Sequence, residues 1–313
     1  MRGAADRVLV DAPPFSLRTV RELLAGTGTR VEPSSEESAG DDVVALLVWS
    51  TRVDDELLVR LPRLKVVATG SVGYDHIDVA AAGRRGVVVC NVPDYCIEEM
   101  ADSSLALLLA LLRGIAVLDR SVRAGRWDDK AAGPVRRLAG TSVGVVGFGR
   151  IGRALAARLL ALGLDVWAAD PFVPDEEIAA AGVRAAELDM LLASCRAVSL
   201  HLPLTPETEG LIGERELSLM PRGSFLVNVT RAGLVDWEAF TAALADGRLA
   251  AAATDVLPTE PPTSSRPAPD LPNLIVTPHA AWYSPEAEEA VYRRATLAVR
   301  AVLEGRRPAE ALA

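Results

Sequence analysis

Three side chains suited to proton and anion chemistry follow successive apolar runs in the C-terminal part of this 313-residue chain. Arg231 lies in "NVTRAGLVD", Glu260 in "TDVLPTEPP" a few residues past Asp255, and His279 in "TPHAAWYS". A guanidinium can clamp a carboxylate through paired hydrogen bonds and polarise a neighbouring ketone. An imidazole can deliver a proton as a hydride arrives and take it back in the reverse direction. A carboxylate beside it favours the charged ring and fixes its orientation. Each residue alone has a plainer reading: a surface ion-pair partner for Arg231, a solvated loop carboxylate for Glu260, a strand-end cap for His279. The chemical reading rests on all three following strands of one sheet.

A second constellation, "VGVVGFGRIG", holds Gly147, Gly149 and Gly152 in a G-x-G-x-x-G spacing. An apolar strand (Val143–Val146) precedes it. A helix follows with Leu155, Leu159 and Leu162 on one stripe and Gly163 as its exit. A second strand, "LDVWAA", then ends in Asp170, 23 residues past Gly147. Strand, helix and acidic residue in register make this a dinucleotide fingerprint. Gly147 permits the tight turn, Gly149 lets backbone approach a pyrophosphate, and Gly152 lets helix and strand pack closely. The helix N-terminus offers N–H groups to the anion. Asp170 can accept both ribose hydroxyls and would repel a 2′-phosphate, so the expected cofactor is NAD rather than NADP. Two other patterns fail on context. "GTSVG" places Ser142 before a strand, where a hydrolase nucleophile needs strand, turn and helix in that order, and no Gly-Lys-Ser/Thr exists for a Walker-type site.

The elements that must carry these groups alternate between short β-rich runs and helical patterns. "RVLV", "VVALLVW", "KVVAT" and "VVVC" read as buried parallel strands before residue 91. "CIEEMADSSLALLLALLRG" opens a long helix, apolar on most faces, whose pattern runs on to Gly125. Later strands are expected at 197–202, 224–229, 251–256 and 273–278, a surface loop at Pro258–Pro272, and a final helix at Glu286–Glu304. The predicted fold class is α/β: two Rossmann-like or flavodoxin-like domains with doubly wound parallel sheets. A nucleotide domain (94–283) is inserted into a substrate domain (1–93 plus 284–313). The net charge of −9 and pI near 5.0 argue against a nucleic-acid partner. The most apolar stretch, Leu105–Leu112, is too short to span a bilayer, and Met1–Val10 has no secretory h-region, so no membrane partner is expected. Cys90, Cys96 and Cys195 form no CxxC pair and no metal-ligand spacing, which suits free thiols in a reducing cytoplasm and no bound metal.

"GFGRIG", "HLPLTPET", "NVTRAGLVD", "ATDVLPTEP" and "TPHAAWYS", in that order, resemble the successive motifs of the D-isomer-specific 2-hydroxyacid dehydrogenases, and "TGSVGYDHID" resembles that family's substrate loop. The similarity runs from about residue 43 to the C-terminus. It implies Arg231, Glu260 and His279 as the catalytic set. It implies Gly70, Ser71, Val72 and Gly73 as a loop whose N–H groups receive the substrate carboxylate. With the three glycines, it implies that Arg150, Ile151, Asp170, His201, Leu202, Pro203, Val229, Thr230, Asp255 and Met100 line the cofactor. It also implies a homodimer through the nucleotide domain and its long helix. "HAAWYS", "EEMADS" and "GFGR" look most like the C-terminal binding proteins, corepressors that keep this fold, and imply that Trp282 lies over the substrate. Two positions depart from the family pattern: Thr69 and Ala68 stand where an arginine adjoins the substrate loop in relatives, and Ala232 replaces the commoner glycine after the arginine. The expected activity is NAD-dependent interconversion of a 2-keto acid and a (D)-2-hydroxy acid. The alternatives are an NADH-sensing, corepressor-like scaffold and a specialised reductase of an unusual acid such as a phosphonate.

Overall fold

The computed structural model describes residues 5–11, 15–35, 39–263 and 270–312. The chain forms two units, Met1–Tyr95 with Ser284–Ala313, and Cys96–Tyr283. The first crossing thus falls after Tyr95, where the sequence placed it after residue 93; the return falls before Ser284.

In the first unit five strands pair in parallel in the order β2-β1-β3-β4-β5: β1 (Arg7–Val10), β2 (Arg30–Pro33), β3 (Val43–Val48), β4 (Val66–Thr69) and β5 (Val88–Cys90). All six residues of β3 and all four of β4 are buried, which explains why they read as unbroken apolar runs. Helices α1 (Leu17–Leu23), α2 (Asp55–Arg60) and α3 (Val79–Arg84) return the chain between strands. Ser16, Asp54 and Asp78 cap them by accepting main-chain N–H bonds.

The second unit opens with α4 (Ile97–Leu112) and α5 (Ile115–Arg123). They are two helices bent by 60°, not the single helix that the periodicity predicts. Gly114 adopts φ +64 between them, and a Cβ there would collide with Ala132, so both dihedral and packing select glycine. Seven parallel strands follow: β6 (Ser142–Val146), β7 (Asp165–Ala169), β8 (Arg184–Ala185), β9 (Ala197–Leu200), β10 (Ser224–Asn228), β11 (Leu249–Thr254) and β12 (Leu274–Val276). Helices α6 (Arg150–Ala161), α7 (Asp175–Ala180), α8 (Leu188–Ser194), α9 (Glu214–Leu219) and α10 (Trp237–Ala245) connect them. The order β12-β11-β10-β9-β6-β7-β8 puts the first and fourth strands of the series side by side, the topological switch point where doubly wound sheets bind nucleotides. Leu191, Leu192, Val198, Leu200, Leu226 and Phe240 anchor the core on one face of this sheet. In the first unit, α11 (Pro285–Leu303), capped by Ser284, closes the chain.

β2 and β8 were not expected. Each lies at a sheet edge and buries at most one residue, so neither carries an apolar run to read. Within the predicted Pro258–Pro272 loop, residues 264–269 lie outside the described residues, and the described remainder contains no helix or strand. Among the described residues no single helix is long and apolar enough to cross a membrane.

Candidate active site

The glycine turn joins β6 to α6 beside the end of β9, where His201 N donates to Val146 O at 2.7 Å. Gly147 has φ +92, and a Cβ on it would run into the His201 carbonyl. A Cβ on Gly152 would strike the Gly147 carbonyl. Gly149 differs: a Cβ there meets no protein atom within 4 Å. Its glycine is therefore explained not by the fold but by what approaches from outside. No side chain caps the N-terminus of α6, leaving its first-turn N–H groups for an anion. Asp170, just past β7, is pinned against the turn. Its Oδ2 accepts from Phe148 N at 2.8 Å and its Oδ1 from Phe172 N at 2.9 Å. The open cradle at Gly149, the uncapped helix and the oriented carboxylate fit a dinucleotide. Arg150 is exposed and Ile151 half-buried in the first turn; Leu202 and Pro203 continue the chain past β9. Phe172, not singled out from the sequence, donates its N–H to Asp170 and leaves its side chain exposed.

His201 turns its ring into the fold. Nε2 lies 2.8 Å from Ser199 Oγ, and Nδ1 is buried with no partner among the described residues. Burial pushes its pKa down to about 4, so the ring is neutral at pH 7 and supplies no acid. Its main chain, rather than its ring, meets the glycine turn. Met100 on α4 is 8% exposed and accepts from Ser104 Oγ through its carbonyl.

The three polar groups read from the sequence follow adjacent strands. β10, β11 and β12 are neighbours, and Asp255 N donates to Asn228 O at 3.0 Å while His279 N donates to Asp255 O at 2.8 Å. At the end of β10, buried Asn228 shapes the next turn: its Nδ2 donates to Arg231 O (2.8 Å), and its Oδ1 accepts from Thr230 N and Oγ1 (both 3.0 Å). Arg231 Nη1 in turn donates to Thr230 O at 2.9 Å, and Val229 is buried beneath. Asn228 was visible only as a strand-final asparagine, with no sequence signal for this role.

His279 Nδ1 lies 2.6 Å from Glu260 Oε2. A carboxylate can only accept, so Nδ1 carries the proton and Nε2 is the free nitrogen. The other carboxylate oxygen, Oε1, accepts from Leu257 N at 2.6 Å. Burial pushes the Glu260 pKa up, but the hydrogen bonds from His279 and Leu257 and the charges of His279 and Arg231 together hold it below the usual value. Arg231 therefore acts electrostatically on the same carboxylate that orients His279. His279 has φ +53, the one non-glycine residue with positive φ among the described residues. Asp255 holds that turn. Buried to 1% exposure, its Oδ1 accepts from Thr277 Oγ1 (2.5 Å) and Ala280 N (3.0 Å), and its Oδ2 from Ala281 N (2.8 Å). Trp282 Nε1 donates to His279 O at 3.0 Å, and Ser103 of α4 donates to Ala281 O at 3.0 Å. Asp255, expected at the cofactor, thus bonds through both carboxylate oxygens to the histidine turn.

In the first unit the loop after β4 turns its carbonyls inward. Ser71 O accepts from Val92 N (3.1 Å), Val72 O from Asn91 Nδ2 (2.7 Å) and Gly73 O from Ser71 Oγ (2.5 Å). The N–H groups of Ser71, Val72 and Gly73 meet no acceptor among the described residues. A Cβ on Gly70 would press into Phe15 and Trp49. Thr69, fully buried, lies 2.8 Å from Ser71 Oγ and 3.3 Å from His76 Nε2 through its hydroxyl.

Residues 105–281 match the family model described as D-isomer specific 2-hydroxyacid dehydrogenase, NAD binding domain. The chain belongs to this family. A D-3-phosphoglycerate dehydrogenase of Mycobacterium leprae is 44% identical over 262 residues, covering 83% of this chain and 49% of the relative. A glycerate dehydrogenase of Methylorubrum extorquens is 38% identical, covering 74% of each chain. The chain spans about half the length of the phosphoglycerate relatives it matches. Among solved structures, a D-lactate dehydrogenase of Aquifex aeolicus complexed with NAD and lactic acid superposes with a TM-score of 0.87 at 27% identity, over 96% of both chains. The TT0316 protein of Thermus thermophilus does so at 0.83 and 34% identity, over 98% of this chain and 100% of that one. This family member thus carries an NAD-binding domain, and its glycine turn lies inside it. The two curated relatives and the Aquifex enzyme are dehydrogenases of metabolic acids; none of these three is a C-terminal binding protein.

Proposed function

We propose that this chain is an NAD-dependent oxidoreductase interconverting a 2-keto acid and a (D)-2-hydroxy acid. The observation that carries the reading is His279 Nδ1 against Glu260 Oε2 at 2.6 Å, with Nε2 free and Arg231's charge felt at the same carboxylate. NADH held at the glycine turn would be the hydride source for the substrate's carbonyl carbon. The residues of the chain do the rest. His279 gives its Nε2 proton to the carbonyl oxygen, and Glu260 stabilises the imidazolium that precedes this transfer. Arg231 holds the substrate carboxylate and polarises the ketone. The N–H groups of Ser71, Val72 and Gly73, which meet no acceptor among the described residues, suit a carboxylate, and Trp282 forms a wall beside the reacting centre. In the reverse direction His279 takes the hydroxyl proton. The glycines, Arg150, Ile151, Asp170, the main chain at 201–203, Val229, Thr230, Asp255 and Met100 hold the dinucleotide. The test is NADH consumption against a panel of 2-keto acids that includes phosphorylated and phosphonate-bearing members, with His279→Ala alongside. If the wild type binds NADH yet reduces none of the panel, or the variant keeps full activity, the reading fails.

A homodimer through the second unit belongs to the same proposal, supported by large apolar side chains exposed on and just after α5: Ile115 (55%), Val122 (49%) and Trp127 (92%). A cytoplasmic location is supported by three buried cysteines, none of them in a disulfide, with the Cys90 and Cys195 thiols pushed up to about 12 by burial. A second reading, an NADH-sensing scaffold akin to the C-terminal binding proteins, is favoured by Trp282 and Tyr283, whose rings pack edge-on at 5.6 Å in the histidine turn. Partner capture with and without NADH separates it from the enzyme.

A further inference from the structure

The amino edge of the seven-stranded sheet, opposite the glycine turn, holds a cavity of about 420 Å³ that the chemistry above does not use. Ser142 opens β6, Arg196 immediately precedes β9 and Ser224 opens β10, and these three strands are neighbours. Main-chain bonds lock the row: Arg196 N donates to Ser142 O at 3.1 Å, and Phe225 N to Arg196 O at 2.9 Å. Arg136 and Arg137, from the segment before β6, complete the wall.

The lining contains three arginines and no aspartate or glutamate. Among the described residues none of these three guanidiniums forms an ion pair, whereas Arg158 and Arg215 elsewhere each sit on two carboxylates. In a chain of net charge −9, gathering three cations with no counter-charge is costly unless an anion completes the set. Arg196 lies over the Phe225 ring at 5.3 Å, which fixes its plane. Burial, and the like charge of Arg136, hold its pKa below the usual guanidinium value.

A second observation points the same way. Ser224 is 1% exposed, lines the cavity, and its Oγ has no hydrogen-bond partner among the described residues. Its neighbour Ser142 is satisfied, donating to Ser194 O at 3.0 Å and accepting from Arg196 N at 3.2 Å. A buried hydroxyl left without a partner in a cavity lined by arginines is a donor awaiting an acceptor.

We propose that this cavity is a binding site for a small phosphate-bearing anion, distinct from the nucleotide turn, with Arg136, Arg137 and Arg196 on the phosphate oxygens and Ser224 Oγ donating to one of them. Planar guanidiniums match tetrahedral oxyanions, and three of them with a hydroxyl match a multivalent phosphate better than a single carboxylate. The test is calorimetric titration of inorganic pyrophosphate into the full chain saturated with NADH, at low ionic strength. One saturable site per chain is expected, with a Kd of about 1 mM or below. Arg136→Gln with Arg137→Gln, both exposed positions, weakens it at least about tenfold, and Ser224→Ala severalfold, while NADH affinity stays unchanged. Arg196→Gln behaves like the double variant; if it fails to fold, the exposed pair decides. Absence of saturable binding, displacement of pyrophosphate by NADH, or unaltered affinity in the exposed pair overturns the proposal.

Discussion

His279 stands at φ +53, a backbone region that costs a non-glycine residue roughly 1–3 kcal/mol. The hydrogen bonds of the buried Asp255 carboxylate to Thr277, Ala280 and Ala281 hold the segment there. Asp255→Asn is therefore expected to destabilise the protein by about 1–3 kcal/mol, seen in urea unfolding, and to lower kcat through a displaced imidazole. Glu260→Gln removes the carboxylate charge that faces His279 Nδ1 while keeping the shape. It should lower kcat by about 10²-fold or more with little change in KM, in steady-state kinetics with the best substrate of the panel. The type and spacing of Glu260 and His279 were readable as chemistry, but their pairing was not. Nor was the role of Asp255, because a strand-end carboxylate looks the same whether it faces a ligand or caps the next turn.

At the scale of elements, the β6–α6 turn separates two kinds of glycine. Gly152→Ala forces a methyl group into the Gly147 carbonyl and should lower the melting temperature and abolish NADH binding together. Gly149→Ala adds a methyl group to open space, so stability should persist while NADH affinity falls, measured by calorimetry and thermal unfolding side by side. The turn was legible because its requirements are local: glycines at fixed spacing between an apolar strand and an amphipathic helix. The edge strands β2 and β8 were not, since strands that bury little need no apolar run. The break at Gly114 was also hidden. The helical pattern continues across it, and only the approach of Ala132 shows why the backbone turns there.

For the molecule as a whole, His201 ties stability to pH. Its pKa of about 4 in the fold lies below the ordinary imidazole value of 6.5. The unfolded chain therefore binds the proton more tightly. The contribution of the neutral ring is fully present above about pH 6.5 and is lost as the pH falls towards 4. The full effect approaches about 3 kcal/mol. Urea unfolding at pH 7 and pH 4.5 should show this loss, and a His201→Gln variant should show less of it. If α5 and the segment after it, with Trp127, form a homodimer face, Trp127→Asp should give monomers in light scattering without lowering NADH affinity.

The sequence by itself determined the parallel α/β architecture, the dinucleotide turn, and the order in which an arginine, a carboxylate and a histidine follow strands. Buried strands, tight turns and helix stripes leave periodic or positional marks on the residues that form them. The tertiary structure alone decided which groups meet. Long-range strand pairing joins Glu260 to His279 and gives Asp255 to the histidine turn. In the loop after β4 it ties the carbonyls of residues 71–73 back and leaves their N–H groups open, while Gly70 N stays bonded to Val48 O, and it gathers Arg136, Arg137 and Arg196 around Ser224. Such juxtapositions arise between residues far apart in the chain, and no local pattern encodes them.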